Sequence, residues 1–200
     1  MKSILRQILR GCLALGLASG PLNAVASTSI VVSVPDQRLA LVENGVLIAS
    51  FPVSTSKFGL GDRDGSYATP LGAMEIAAKI GDNAPLGAVF KSRVRTGEIL
   101  RPNASGRDPI VTRILWLRGL ESRNAQAYGR GIYIHGTPVE RLIGRPASYG
   151  CIRMRSRDVV RLFDATPVGT KIDVVNAPVR RAIAEAYVSH SVRNGRVAAN

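Results

Sequence analysis

Two side chains in residues 132–154, IYIHGTPVERLIGRPASYGCIRM, have the types and spacing of a base and a nucleophile. The run Ile132-Tyr133-Ile134 has the β-branched and aromatic composition of a short strand and ends on His135. A connection rich in Gly and Pro then returns the chain to Ser148-Tyr149-Gly150-Cys151. A cysteine is a useful nucleophile only as the thiolate, and a neighbouring imidazole can take its proton. Gly150 suits a tight turn that leaves the sulfur accessible, with the N–H groups of Gly150 and Cys151 aimed where an oxyanion would form. Arg153 adds positive charge beside the sulfur. Taken singly, each residue has a plainer reading: a cysteine as a small buried hydrophobe, a histidine at a strand end as a hydrogen-bonded structural group.

The string as a whole resembles the active-site signature of the L,D-transpeptidase (YkuD-type) catalytic domain family. That signature is a strand ending in His-Gly, a loop, then Ser/Thr-His-Gly-Cys followed after one residue by Arg or Asn. His135-Gly136 and Ser148-x-Gly150-Cys151-x-Arg153 match it. Tyr149 departs from it, standing where the family has a second histidine; a phenol donates a hydrogen bond but is not cationic near neutral pH. Softer likenesses lie elsewhere. Residues 69–76, Thr-Pro-Leu-Gly-Ala-Met-Glu-Ile, resemble the family's Thr-Pro-x-Gly-x-Phe-x-Ile, with Met74 for the aromatic. Val168-Gly169-Thr170 before Lys171 resembles the start of its closing strand.

The resemblance implies a peptidoglycan transpeptidase acting on stem peptides. Cys151 attacks the carbonyl that links an L-centre to a terminal D-alanine, forms a thioester and releases the D-alanine; an amine acceptor then resolves the thioester. His135 is the base, the Gly136 carbonyl orients its imidazole, and Gly150 belongs to the oxyanion backbone. Ser148, Tyr149 and Arg153 are assigned to the substrate side, with Ser148 fixing the turn and Arg153 either binding a substrate carboxylate or stabilising the loop. No metal or organic cofactor is implied, and carbapenem-type compounds are the implied inhibitors. The rival functions are an L,D-carboxypeptidase or cysteine peptidase, in which water resolves the thioester; attachment of the cell wall to a protein lysine; and a non-catalytic basic envelope-binding module.

The elements that must position these residues read as mainly β with one or two helices, consistent with the β-sandwich-like fold the resemblance implies. The catalytic domain is expected over 27–176 and a C-terminal helix and tail over 177–200. Ile30 to Val34, Arg38 to Glu43 and Val46 to Val53 form a meander, with Asn44-Gly45 as its tight turn. Ser54 to Thr69 is a loop, and Thr-Pro at its end reads first as a plain turn before a buried strand, with shaping one wall of the site as the alternative. Gly81 to Asp108, interrupted by Pro85, Gly87, Gly97, Pro102 and Gly106, reads as a second loop region forming a flap over the cleft. Ile110 to Leu117 is a strand carrying Trp116 as a core aromatic, with Arg113 and Arg118 as surface charges. Ser156 is the expected N-cap of a helix that buries Val159, Leu162 and Phe163, and Lys171 to Val175 is the last strand. Pro178 to Ser189 reads as a C-terminal helix.

The first 26 residues read as a secretory signal peptide. Lys2, Arg6 and Arg10 form a basic start, Cys12 to Ala18 an apolar run too short to span a bilayer, and Ala24-Val25-Ala26 a cleavage site. Cleavage leaves Cys151 as the only cysteine of a periplasmic protein with no membrane span, and an unpaired thiol in an oxidising compartment favours a functional reason for it. The chain carries 27 Lys and Arg against 14 Asp and Glu, a formal net charge of +13. After export that surplus points to anionic envelope polymers or membrane surfaces rather than nucleic acid. The basic residues are scattered and aromatics make up 5% of the chain, too few for a base-stacking platform. There are no internal repeats and no zinc, phosphate-loop or nucleotide motif.

Overall fold

The structure, a computed structural model, describes residues 27–193; the expected signal peptide, Met1–Ala26, lies outside the described residues. In chain order the elements are β1 (Thr28–Ser33), β2 (Arg38–Glu43), β3 (Val46–Pro52), β4 (Gly72–Ile80), β5 (Ala88–Lys91), β6 (Val94–Ile99), β7 (Ile110–Gly119), β8 (Tyr133–Gly136), β9 (Ile152–Met154), α1 (Ser156–Ala165), β10 (Lys171–Val175) and α2 (Val179–Arg193). The strands join in the order β3-β2-β1-β10-β4-β7-β5-β6, with β8 paired to β7 and β9 paired to β8. The fold is mainly β with two helices.

Period-two patterning places the core. Met74 and Ile76 of β4 and Ile172 and Val174 of β10 are buried, while Lys171 and Asp173, which alternate with the latter two, stay exposed. They pack with Leu39 and Leu41 of β2, Leu115 and Leu117 of β7, Ile134 of β8 and Ile152 of β9, so two parts of the sheet face each other over one core. Val159, Leu162 and Phe163 of α1, spaced i, i+3, i+4, close its end. β2 alternates only in part because both of its faces are covered: Ala40 and Val42 pack beside Val31 and Ala182, the last from α2.

Four sequence expectations are corrected. Residues 81–108 do not form a loop region; they contain the β5–β6 hairpin. Its two-residue turn is Ser92-Arg93, with φ of 50° and 68°, the left-handed pair that Asn44-Gly45 (φ 50° and 81°) adopts in the β2–β3 turn. Without a glycine, such a turn costs about 1–3 kcal/mol at each residue.

Arg113 is not a surface charge. In the β7–β8 ladder Val111 pairs with Gly136 and Ile114 with His135, so Thr112 and Arg113 form a bulge. Thr112 has φ 74°, rare for a β-branched residue, and the distortion swings Arg113 inward. There, 7% exposed, it donates to the carbonyls of Ala84 (2.6 Å) and Thr112 (2.8 Å) and lies 5.3 Å from the centre of the Phe163 ring. Arg118 is exposed as expected and pairs with Glu75.

Ser156 is the first residue of α1 rather than its cap. Its hydroxyl accepts from the Thr112 hydroxyl (2.9 Å), so the Glu140 carboxylate takes the Ser156 N–H instead (2.8 Å). α2 runs to Arg193, past the expected end at Ser189. Among the described residues no helix is long and apolar enough to cross a membrane.

Candidate active site

β8 and β9 are parallel neighbours, a pairing that a tight hairpin cannot make, and the connection from Thr137 to Cys151 supplies the required crossover. The register sets Ile134 against Ile152 and His135 against Arg153, while on the other side Trp116 of β7 pairs with Tyr133. Paired residues share a face. Continued by one residue, this register places Trp116, Tyr133 and Cys151 in one row and His135 beside Arg153 in a row on the same face. The imidazole and the thiol are therefore diagonal neighbours on adjoining strands.

His135 is 5% exposed, and its Nδ1 stands 2.8 Å from the Gly136 carbonyl oxygen. A carbonyl only accepts, so Nδ1 carries the hydrogen and Nε2 keeps its lone pair, the tautomer a base requires. Burial is the main reason the pKa of His135 drops to about 4; the Gly136 bond opposes that shift, the Arg153 charge adds to it and Asp108 opposes it. Gly136 has no room for a side chain: a Cβ there would lie 2.5 Å from the Val111 carbonyl oxygen at the bulge.

Cys151 is half-buried, and its Sγ donates to the Gly131 carbonyl at 3.4 Å. Burial pushes the thiol up to about 11, against the backbone bond from Tyr133 and the charges of Arg130 and Arg153. At neutral pH the resting pair is thus a thiol and a neutral imidazole. Alkylation of the free enzyme by iodoacetamide is accordingly expected to be slow at pH 7 and to rise continuously as the pH approaches 11. A rate plateau already reached at pH 7 would show a preformed ion pair and overturn this account.

The turn before the thiol is held from below. Gly150 has φ 116°, and a Cβ there would lie 3.2 Å from Ile132 Cδ1 and 3.3 Å from the Ala68 carbonyl oxygen. The Gly150 carbonyl accepts from the Thr69 hydroxyl (3.0 Å), which itself accepts the Ser56 N–H (3.0 Å). The Thr-Pro segment is therefore tied through Thr69 to the turn that carries Cys151. Ser148 is 2% exposed; its hydroxyl donates to the Cys151 carbonyl and accepts the Gly150 N–H at 3.3 Å. Those two bonds hold the Ser148 hydroxyl within the turn, in keeping with its expected part in fixing it. They also direct the Gly150 N–H into the turn, whereas the Cys151 N–H has no acceptor among the described residues.

Arg153 sits in the row beside His135, enclosed by protein. It is 4% exposed and ion-paired to Asp108, whose other oxygen accepts the Thr137 hydroxyl. Tyr149 is 60% exposed. Its hydroxyl bonds to Lys57 Nζ (3.1 Å), and its ring packs against Phe58 and Tyr67 with centroids 5.3 Å and 5.8 Å away. Trp116 is half-buried, packed against the cluster of Ala88, Phe90, Ile114 and Tyr133 and stacked on Tyr128 at 4.1 Å.

Sequence reasoning missed the buried Arg130–Asp62 ion pair (2.8 Å). Arg130 also donates to the Ala68 carbonyl (2.8 Å), tying the loop under Gly150 to the turn whose Gly131 carbonyl holds the sulfur. No local pattern marks two partners so far apart in the chain.

The chain resembles known proteins over part of its length. A probable L,D-transpeptidase ErfK/SrfK of Salmonella typhimurium is 44% identical over 55 residues, 28% of this chain and 18% of that protein. A putative L,D-transpeptidase YkuD of Bacillus licheniformis is 36% identical over 90 residues, 40% of this chain and 50% of that protein. The matched stretches thus span half or less of these relatives. The backbone is similar to that of the Ldtfm-avibactam carbamoyl enzyme, with a TM-score of 0.50 at 16% identity over 77% of this chain and 51% of that one, a likeness of fold. The YkuD family model, which describes the L,D-transpeptidase catalytic domain, matches residues 27–174, and these contain β8, the bulge opposite it and the Cys151 turn. The chain belongs to the L,D-transpeptidase catalytic domain family.

Proposed function

We propose that this protein is a peptidoglycan L,D-transpeptidase in which Cys151 carries the acyl group. The observation that supports it best is the Gly136 carbonyl bond that leaves His135 Nε2 as a free base in the row beside the thiol. Sγ turns from the Gly131 carbonyl toward Nε2, gives up its proton and attacks the carbonyl carbon before the terminal D-alanine. The Cys151 N–H donates to the oxygen that becomes negative. As the C–N bond breaks, the imidazolium returns its proton to the departing amine, leaving a thioester on Sγ. An incoming amine loses a proton to His135, attacks the thioester and restores the thiol. No step calls for a metal or organic cofactor.

The neutral resting pair suits an exported enzyme. Thiolates oxidise faster than thiols, and a thiol held protonated until substrate arrives is protected in an oxidising compartment. We place the protein in the periplasm after loss of residues 1–26, with stem peptides as substrate and carbapenem-type compounds as covalent inhibitors.

The test uses envelope-fraction protein that begins at Ser27, incubated with disaccharide-tetrapeptide and read by mass spectrometry. A crosslinked dimer lacking one D-alanine is the expected product. Tripeptide alone would make it an L,D-carboxypeptidase, and no product would favour the binding module; recovery of the uncleaved chain in the cytoplasm would overturn the location.

A further inference from the structure

An enzyme that removes one residue from the end of a peptide must tell a chain end from a chain interior, and the chemical mark of the end is a free carboxylate. A fixed guanidinium reads a carboxylate well, because its planar N–H fork matches the two oxygens. Most cations near the thiol are already engaged. Arg153 is paired with Asp108, Arg130 with Asp62, and Arg113 is buried on two carbonyls. Lys57 Nζ bonds to the Tyr149 hydroxyl and lies 4.5 Å over the centre of that ring.

Arg93 differs from all of these. It occupies the tip of the β5–β6 hairpin, exposed, with its guanidinium 4.4 Å over the Trp116 ring and Nη1 donating to the Tyr133 hydroxyl at 3.1 Å. The surface beneath it is rigid: Trp116 is stacked on Tyr128 with rings 8° from parallel, and its Nε1 donates to the Tyr128 carbonyl at 3.0 Å. These contacts set the plane of the guanidinium yet leave its Nε and Nη2 donors without a carboxylate partner among the described residues.

Its position is next to the chemistry. Tyr133 is the middle of the row that runs Trp116, Tyr133, Cys151. A Cβ on Gly131 would lie 3.0 Å from the Tyr133 hydroxyl, and the Gly131 carbonyl is the group that holds Sγ. Arg93, the Tyr133 hydroxyl, Gly131 and the sulfur are therefore successive neighbours. The hairpin also holds two non-glycine residues in the left-handed region at the point that presents the guanidinium, a cost that tends to persist where it serves a site.

We propose that Arg93 binds the free C-terminal carboxylate of the acyl donor, held in place for that task by Trp116 and Tyr133. The proposal rests on the acyl-transfer reading above, and its test separates the two. The full mature protein is alkylated at Cys151 by N-bromoacetyl-D-alanine and, separately, by its carboxamide, which needs no turnover. Wild type is expected to prefer the carboxylate about tenfold, as a charge-assisted bond implies. Arg93→Gln and Arg93→Ala bring the ratio of the two rates close to one, Arg93→Lys restores part of it, and Lys57→Met keeps it. Arg93→Gln retains a side chain for Trp116 and Tyr133, so loss of the ratio in this variant, with an unchanged melting curve, reports charge rather than folding. A wild-type ratio near one, or a ratio lost in Lys57→Met and kept in Arg93→Gln, overturns the proposal. A ratio that behaves as expected in a protein that makes no product from tetrapeptide upholds Arg93 as a carboxylate site and overturns the transpeptidase reading instead.

Discussion

Cys151→Ser is expected to fold as wild type does and to lose acyl transfer by about 10⁴- to 10⁶-fold, the range seen when a covalent nucleophile is removed. The side chain changes little in size, and a serine hydroxyl can take over the bond to the Gly131 carbonyl, so its stability should stay within about 1 kcal/mol of wild type. Chemistry is lost because an alcohol is far harder to deprotonate than a thiol, and a base as weak as His135, with its pKa near 4, is poorly matched to that task. Mass spectrometry after incubation with a carbapenem checks it: wild type gains one adduct and the variant none. Turnover within a few-fold of wild type would remove Cys151 from the mechanism.

His135→Ala is expected to lower carbapenem acylation by about 10²- to 10⁴-fold at neutral pH, since it removes the base that accepts the thiol proton. The same substitution should change the acid side of the stability curve. His135 titrates at about 4 in the fold against an ordinary 6.5, so the unfolded chain takes up the proton first. The stabilisation is complete above about pH 6.5 and is lost as the pH falls toward 4, about 3 kcal/mol in all. Melting curves between pH 4 and 7 should show that slope in wild type and not in the variant. Tyr149→Phe is the comparison, because it removes only the bond to Lys57 on an exposed ring and should cause a partial loss. Equal damage from the two substitutions would withdraw His135 as the sole base.

Much of this molecule is legible in its residues in order. Arg38–Glu43, Lys171–Val175 and the apolar face of α1 follow from patterns local to each element, and the Asn44-Gly45 turn from backbone freedom those two residues supply. The order His-Gly, loop, Ser-x-Gly-Cys-x-Arg singled out His135 and Cys151 because both sit beside short strands that the same stretch of chain builds. The Ser92-Arg93 hairpin escaped notice because neither residue signals a left-handed turn; its conformation is stabilised by partners, Trp116 and Tyr133, on other strands.

The fate of each charge was likewise decided in three dimensions. Arg113, Arg130 and Arg153 look alike along the chain, but a bulge, an aspartate far upstream and Asp108 before β7 turn all three into internal ties. Arg93, at an exposed hairpin tip, has aromatic partners and no carboxylate among the described residues. The sequence by itself determined which residues can exchange a proton and attack a carbonyl, since that chemistry resides in the side chains. Only the tertiary structure decided their resting state and which cations are held in buried ion pairs, because desolvation and ion pairing depend on groups that chain folding brings together from distant positions.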